Sequence, residues 1–523
     1  MHTQRSVGLP GKGSICMLRV AMNEESRIST GVRRRAAAPP GRILASNLCL
    51  LLLLALPLSS CRSGEKPRDI PVGHSAGPSV REAAFLDTLE ARTFRYFWDL
   101  SDSKTGLTPD RWPTKSFASV GAIGFALTAY PIGAERGYVT RDAAGDRVLA
   151  TLRFLRDAPQ NSKTSGSAGY HGFFYHFLDP ETGRRFKDVE LSTMDTALLV
   201  AGALFCETYF DRESAPEDSI RSIAAAIYGR VDWKWAQVRP PTIALGWLPE
   251  SGFLPYDWRG YNESMLLHVL ALGSPTHPAT GDVWNAWLEN CRWGSFQGTE
   301  HVGFAPLFGH QYAQCWIDLR GIGDVFIRGH GIDYFENSRR ATLAQQAYAV
   351  SNPGGWAGYG ERRWGLTAGD GPVDRTLDID GKRREFHTYW ARGASFTEVN
   401  DDGTLSPSAV GGSIAFAPEV VLPTLISMRE TYGARLFSTY GFLDGFNPTL
   451  KLPIKVPQGR IDPALGWFDT DYLGIDEGPI LIMIENYRSG LVWKTMRRNA
   501  AIARGLRAAG FRGGWLDPDG SVR

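Results

Sequence analysis

The sequence predicts an all-α fold in which about a dozen helices pair in succession into an inner and an outer ring, an (α/α)6 toroid. Amphipathic stretches with apolar faces of Ala, Leu, Ile and Phe recur along almost the whole chain, the loops between them are short and rich in Gly, Pro and aromatic residues, and alternating strand patterns are rare. A globin-like or solenoid packing of the same helices stays open at this point, although no fixed repeat period is present.

Taken in order, the helical patterns fall near 81–99, 118–130, 140–156, 193–211, 216–231, 262–272, 281–290, 311–328, 338–350, 417–431, 479–488 and 490–509. Within 193–211 the apolar spacing of 197–210 includes Cys206, which reads as a core thiol. Within 262–272, Met265, Leu266, Leu267, Val269 and Leu270 set the face and put Glu263 in the first turn. The best strand candidates are 403–416 and the segment around Arg384 to Thr397. No second linker, low-complexity tract or charge block divides the chain after a polar linker at 61–80, so 81–523 reads as one domain.

Residues 1–60 read as targeting rather than fold. Arg33, Arg34, Arg35 and Arg42 precede an apolar run at 48–58 that has the length of a signal-peptide core and is short for a membrane span. Leu58-Ser-Ser-Cys61 then resembles a bacterial lipobox, with Cys61 the lipidated residue; ordinary cleavage nearby is the alternative. Met22 gives a more usual n-region than Met1, so 1–21 reads as an over-extended start. The expected location is the cell envelope, on the periplasmic or surface side, with membrane contact through the lipid alone.

Residues 1–60 hold eight Lys/Arg and two Asp/Glu, which leaves 49 basic and 53 acidic residues beyond them, a formal charge of −4. That balance argues against a nucleic-acid partner. Beyond Cys61 only Cys206, Cys291 and Cys315 remain, and no CxxC occurs, so neither a disulfide framework nor a structural zinc site is indicated.

The most informative segment is Leu254-Pro-Tyr-Asp-Trp-Arg-Gly-Tyr-Asn-Glu263, with two carboxylates, an arginine, an amide and three aromatic rings. Rings stack on sugar faces, Asp257, Arg259 and Asn262 can fix hydroxyls, and Glu263 can deliver a proton. A plain helix-capping role for Glu263 is the alternative. Trp112, Trp247, Tyr256, Trp258, Tyr261, Trp316, Tyr334, Trp356, Tyr359, Trp364, Trp390 and Trp467 fall mostly in expected loops or at helix ends, where a glycan cleft would use them; about half are expected to pack instead. There is no GxSxG, Walker or HExxH motif, and Gly321-Ile-Gly323 lacks the rest of a dinucleotide fingerprint.

Gly172-Phe-Phe-Tyr-His-Phe-Leu-Asp179, Glu190-Leu-Ser-Thr-Met-Asp195, Tyr256-Asp-Trp-Arg-Gly-Tyr-Asn-Glu263, Phe304-Ala-Pro-Leu-Phe-Gly-His310, Trp316-Ile-Asp-Leu-Arg320, Tyr334-Phe-Glu-Asn-Ser-Arg339, Tyr440-Gly-Phe-Leu-Asp-Gly-Phe-Asn447 and Ile475-Asp-Glu-Gly-Pro-Ile480 occur in that order. Together they resemble the glycoamylase-like domain of bacterial glycoside hydrolase family 144, the β-1,2-glucanases, from about residue 85 to 509. A domain of cyclic β-1,2-glucan synthases is similar too, but this chain has no room for the fused modules of those enzymes. The resemblance implies an (α/α)6 toroid and inverting endo hydrolysis of β-1,2-glucan to sophorooligosaccharides, with no metal or other cofactor. Exo release of sophorose, transglycosylation, and a non-catalytic glycan-binding lipoprotein are the alternatives. Gly369 and Ala415 stand where the family pattern has Ser and Pro.

Inversion needs a protonated carboxyl at the leaving oxygen and a carboxylate across the sugar, about 6.5–9.5 Å away. By the resemblance Glu263 is the acid. Asp444, between glycines that permit an exposed and sharply turned backbone, is the first choice of base, and Glu190 is a second candidate for activating water. Expected glycan contacts are Asp195, Asp257, Trp258, Arg259, Tyr261, Asn262, His310, Trp316, Tyr334, Trp364, Asp476 and Glu485. Several have plain readings as well. Asp195 can be a first-turn helix charge, Asp257 and Arg259 an ion pair, and His310 a core histidine. Asp318 and Arg320 read as a structural salt bridge, and Glu336 and Asn337 as residues preceding and capping a helix.

Overall fold

The computed structural model describes residues 77–280 and 282–517. The signal-peptide reading of 1–60, the lipidated Cys61 and most of the 61–80 linker lie outside the described residues. Among the described residues no helix is long and apolar enough to cross a membrane.

The fold is largely helical, and along the chain helices with one buried face alternate with helices buried on every side. α1 (Val80–Leu100) starts in a capping box between Ser79 and Glu82 and buries Phe85, Leu86, Leu89 and Phe97 at helical spacing. α2 (Val120–Glu135) is buried from Val120 through Gly133. α3 (Arg141–Asp157) turns Val148, Leu152 and Leu155 inward, and α4 (Thr193–Tyr209) is again buried almost throughout, Cys206 included. α5 (Ala215–Gly229) is amphipathic, and α6 (Met265–Gly273) is wholly buried. After the short α7 (Asp282–Leu288), the buried α8 (Phe308–Trp316) precedes the one-faced α9 (Tyr334–Ser351). The five-residue α10 (Pro407–Gly411) is buried, α11 (Pro418–Tyr432) one-faced, and α12 (Gly474–Arg488) buried over 474–486. α13 (Leu491–Met496) and the strongly amphipathic α14 (Ala500–Ala508) finish the body.

The buried helices touch one another in sequence. α2 and α4 meet main chain to main chain: a Cβ on Gly124 would lie 2.3 Å from the Leu198 carbonyl oxygen, and one on Gly202 would lie 2.1 Å from that of Gly124. Only glycine permits that approach. α4 packs on α6 and α6 on α8. Gln311 of α8 donates to the Ala409 carbonyl of α10 (2.8 Å), Ser408 of α10 donates to Asp476 of α12 (3.0 Å), and Gly478 of α12 lies against the Phe125 ring of α2.

Strands are short. β1 (Gly169–Tyr170), β2 (Phe173–Tyr175), β3 (Leu191–Ser192), β4 (Gly246–Leu248) and β5 (Gly252–Phe253) form one antiparallel sheet in chain order, with Phe174 opposite Ser192 and Leu191 opposite Trp247. β6 (Arg375–Ile379) and β7 (Lys382–Phe386) form a hairpin whose Asp380-Gly381 turn has both residues at positive φ, the geometry that matches strand twist.

Several expected boundaries are corrected. The 311–328 helix ends at Trp316, because Ile317 is extended, Asp318 caps the Arg320 N–H and Gly321 takes a positive φ. The helix expected from 338 begins at Tyr334, capped by Asp333, so Glu336 and Asn337 are inside it rather than before it. The 479–488 helix likewise starts earlier, at Gly474. The alternation at 403–416 is not a strand: after Ser406, Pro407 opens α10, where its missing N–H costs nothing. The 490–509 pattern is two helices, since the Asn499 side chain accepts the Ala501 and Ile502 N–H groups and starts a new one. The strand expected around 384–397 is present in part, as β7 and the pairs Trp390–Ala391 and Gly393–Ala394.

Candidate active site

Two-residue strands lead the chain into three of the buried helices: Ala118–Ser119 into α2, β3 into α4 and Tyr472–Leu473 into α12. The Ser119 and Ser192 side chains cap α2 and α4. Backbone bonds tie these ends together, from Val120 N–H to His176 O (3.1 Å), His176 N–H to Glu190 O (3.0 Å), Gly474 N–H to Asp110 O (2.8 Å) and Asp444 N–H to Asp471 O (3.0 Å). Carboxylates distant in sequence are thereby collected at helix N-termini, where the peptide dipoles favour negative charge.

The densest group surrounds Asp444. Its Oδ2 accepts the Asp370 N–H (2.6 Å), and it faces the carboxyl of Asp476, whose Oδ1 accepts Ser408 Oγ. Two buried carboxyls that face one another resist ionising together. Burial first, then the Asp476 and Asp370 carboxylates, push Asp444 well above the ordinary carboxylate range. Burial likewise raises Asp476, to about 7. Arg111 offsets the charge, with Nη1 at 2.7 Å from Asp370 Oδ2 and 3.6 Å from Asp471 Oδ2, and Nε at 3.3 Å from Asp110 Oδ2. Asp370, Asp444 and Asp469 each offer an oxygen within 4.8 Å of the others. This all-oxygen set is the donor type that hard cations take, though the Asp370 carboxylate is already paired with Arg111.

Glu263 is buried in the turn before α6; its carbonyl accepts the Leu266 N–H. It therefore precedes the helix instead of occupying its first turn, and the N-cap position belongs to Ser264. Burial, and then the charges of Asp476, Tyr389 and Glu263, hold the Tyr312 phenol of α8 well above its ordinary value. The Tyr312 hydroxyl donates to the Ile475 carbonyl at the start of α12 (3.4 Å).

A second group lies at the start of α4. His176 Nδ1 is 2.8 Å from Glu190 Oε1 and its Nε2 is 3.4 Å from Asp195 Oδ2, which also accepts Ser192 Oγ (2.5 Å). Burial opposes charge on this imidazole, but Asp195 and Glu190 outweigh it and raise it to about 9. A cavity of about 30 Å³ adjoins the group, lined also by Met194, Leu254 and Trp258.

A family model described as putative glucoamylase matches residues 255–500. The crystal structure of a putative glucoamylase from Bacteroides uniformis is 30% identical and superposes over 84% of this chain and 100% of its own, with a TM-score of 0.71. The chain belongs to this glucoamylase-like family. An endo-β-1,2-glucanase from Chitinophaga pinensis, solved with sophorotriose and glucose, is 25% identical over 84% of this chain and 100% of that one, with a TM-score of 0.70. An exo β-1,2-glucooligosaccharide sophorohydrolase from Parabacteroides distasonis is 25% identical over 462 residues, or 82% of this chain. The chain spans 58% of the length of that curated relative.

Within the family frame, several expected contacts move to the interior. Tyr261 stacks on Tyr334 at 5.7 Å between ring centres and lies 4.9 Å from the His310 ring; all three are buried. His310 bonds the Phe304 carbonyl, and burial lowers it to about 3, so it is a neutral core histidine. Tyr334 donates to Asp324 (3.0 Å), Trp316 to Thr128 (2.9 Å) and Trp364 to Thr424 (2.9 Å). Asn262 spends its amide on the Arg259 carbonyl and on Ser264, shaping the turn that carries Glu263. Asp257 pairs with Arg239 (3.0 Å) and Thr242 (2.8 Å) rather than Arg259, which makes no ion pair among the described residues. Glu485 is at the far end of α12, bound to Arg136 (2.5 Å). Asp444 is buried, not exposed.

Trp258 donates to Thr193 (3.0 Å) and lines the small cavity. Asp318 and Arg320 form the expected salt bridge (2.7 Å). Of the twelve aromatics, Trp112, Trp247, Tyr256, Tyr359 and Trp390 keep exposed surface and the other seven are buried. Sequence reasoning missed Asp110, Arg111, His176, Asp370 and Asp469. The one available signal was that His176 lies inside a family motif and the others beside aromatic or glycine-rich loops.

Proposed function

We propose that the protein hydrolyses β-1,2-glucan with inversion, acting within the chain to release sophorooligosaccharides. The observation that carries this reading is the buried Asp444–Asp476 pair, two carboxyls that face one another at the N-terminal end of α12, together with Glu263 buried in the turn before α6. Glu263 protonates the glycosidic oxygen as its bond to the anomeric carbon breaks. A water attacks that carbon from the opposite face and gives its proton to the ionised member of the Asp444–Asp476 pair, leaving an α-anomeric product. The (α/α)6 toroid is part of the proposal: six buried helices, α2, α4, α6, α8, α10 and α12, touch in succession and α12 returns to α2, which supports a closed inner ring.

A time course on linear β-1,2-glucan tests the substrate and the mode of attack together. Mixed early oligomers with starch, cellulose and laminarin untouched are expected; activity on starch alone refutes the assignment. The name of the Parabacteroides relative favours a second reading, exo action, for which sophorose alone accumulates from the start. The anomer first released, followed by NMR, tests inversion, and a β product excludes it. Export and lipidation at Cys61 are proposed on the Leu58-Ser-Ser-Cys61 motif. Cys61→Ala is expected to abolish labelled fatty-acid incorporation, and a parent protein that never takes up lipid refutes the anchor.

A further inference from the structure

His176 is absent from the mechanism above, yet its ring lies between two of the acids in the site. Its main chain is fixed on both sides, the N–H on the Glu190 carbonyl and the carbonyl on the Val120 N–H, and its ring stacks on Phe177 at 4.0 Å. Each ring nitrogen faces a carboxylate oxygen, at 2.8 and 3.4 Å. A neutral imidazole has one N–H and one lone pair, so one of the two contacts would set a lone pair against a carboxylate; only the imidazolium donates to both. The charged groups facing the ring are Glu190 from just before β3, Asp195 from α4 and Asp110 from the loop before α2, all acidic. Arg111 is committed to Asp370 and Asp110. Without a cation between them, Glu190 and Asp195 would be adjacent buried carboxyls, and one would take up a proton.

We infer that His176 is a positioning residue that, as an imidazolium, holds Glu190 and Asp195 as a fixed pair of acceptors for glycan hydroxyls. The inference rests on the glycan-hydrolase reading. It divides the labour among the acids. Glu263 carries the proton for the leaving group, the Asp444–Asp476 pair takes the proton from water, and Glu190 with Asp195 are kept from competing for either proton. The cavity beside them, walled by Trp258 and Leu254, is where a sugar hydroxyl would reach both acceptors. The raised basicity of the ring agrees with this assignment.

Two measurements test it. In the full-length protein with ¹⁵N-labelled histidine, the ring of His176 is expected to be doubly protonated at pH 8 and to become neutral in the Glu190→Gln Asp195→Asn variant. A neutral His176 ring in the parent overturns the inference whatever the substrate proves to be. In kinetics on β-1,2-gluco-oligosaccharides, His176→Gln is expected to raise KM at least tenfold with a smaller fall in kcat, and to remove the alkaline limb near pH 9 from the parent's kcat/KM profile. An unchanged KM with the alkaline limb retained also overturns it. Should the parent fail on β-1,2-glucan while the ring is an imidazolium, the substrate assignment falls and the charge assignment of His176 is upheld.

Discussion

The two ends of α12 carry acids in opposite circumstances. At the N-terminal end, Asp476 and Glu477 join Asp444 among carboxyls, and Arg111 is paired with Asp370 and Asp471. At the C-terminal end, Glu485 and Glu90 alternate with Arg136 and Arg488, with Glu485–Arg136 and Glu90–Arg488 both at 2.5 Å. The helix dipole favours the first arrangement and opposes the second. Burial and charge pairing override it: Asp476 is raised to about 7 despite its favourable place, and Glu485 is accommodated at the unfavourable end by its arginine. Buried acids face one another at both ends, Glu90 being raised to about 8 by burial and Glu485, but at the C-terminal end two arginines pair with them as well, so that group holds helices together while the N-terminal one keeps a proton available for chemistry.

The largest effect should come from breaking the N-terminal group. Asp444→Asn and Asp476→Asn are each expected to lower turnover on the glucan on the order of 10²–10⁴-fold or more, with little change in melting temperature. Glu263→Gln should lose polymer hydrolysis to a similar extent but keep appreciable cleavage of a sophoroside with an activated aryl or fluoride leaving group, which needs no proton. If Asp444→Asn turns over normally and Glu190→Gln does not, the base is Glu190.

Breaking the C-terminal group should do the reverse. Glu485→Ala leaves Arg136 facing only Glu90 and is expected to cost about 3–5 kcal/mol in denaturant unfolding, while the rate per folded molecule is unchanged. A large loss of rate without loss of stability would return Glu485 to the glycan cleft.

The pH dependence of stability sharpens the comparison. Asp476 is raised to about 7, Glu90 to about 8 and His176 to about 9, so each favours the folded state in its protonated form. Their contributions are complete below the corresponding unfolded values and are lost as pH rises through the folded ones. Unfolding free energy should therefore fall from about pH 5 to pH 9, and Asp476→Asn should flatten the part near 7. The smallest expected effect is that of a chelator: EDTA should leave activity unaltered, and a loss restored by a divalent cation would show that Asp370, Asp444 and Asp469 hold one.

Most helices were legible because apolar spacing reports burial directly, and α3, α4 and α5 begin and end within two residues of expectation. The misplaced boundaries depend on single polar side chains, Asp333, Asp318 and Asn499, whose capping bonds leave the apolar pattern unchanged. In the candidate site, the fold brings Asp444 beside Asp476 and sets Glu190 and Asp195 around His176, all of them residues quoted from motifs. The aromatic contacts were less legible, because Trp316, Tyr334 and Trp364 each satisfy their polar atom inside the core, so a ring at a helix end says little about which way it faces. Arg111 and Asp370 were invisible because 259 positions separate them, and only the fold makes them partners.

The contact between Gly124 and Gly202 bears on how such a chain can change over generations. Neither position touches a carboxylate, yet any side chain there must push α2 away from α4. Asp195 travels with α4, while Asp110 and Arg111 lie in the segment that feeds α2, so a wider spacing would separate the His176 group from the Asp444 group. Selection for turnover should therefore forbid drift at these two glycines as strictly as at the acids, and leave the solvent faces of α1, α3 and α5 free to diverge.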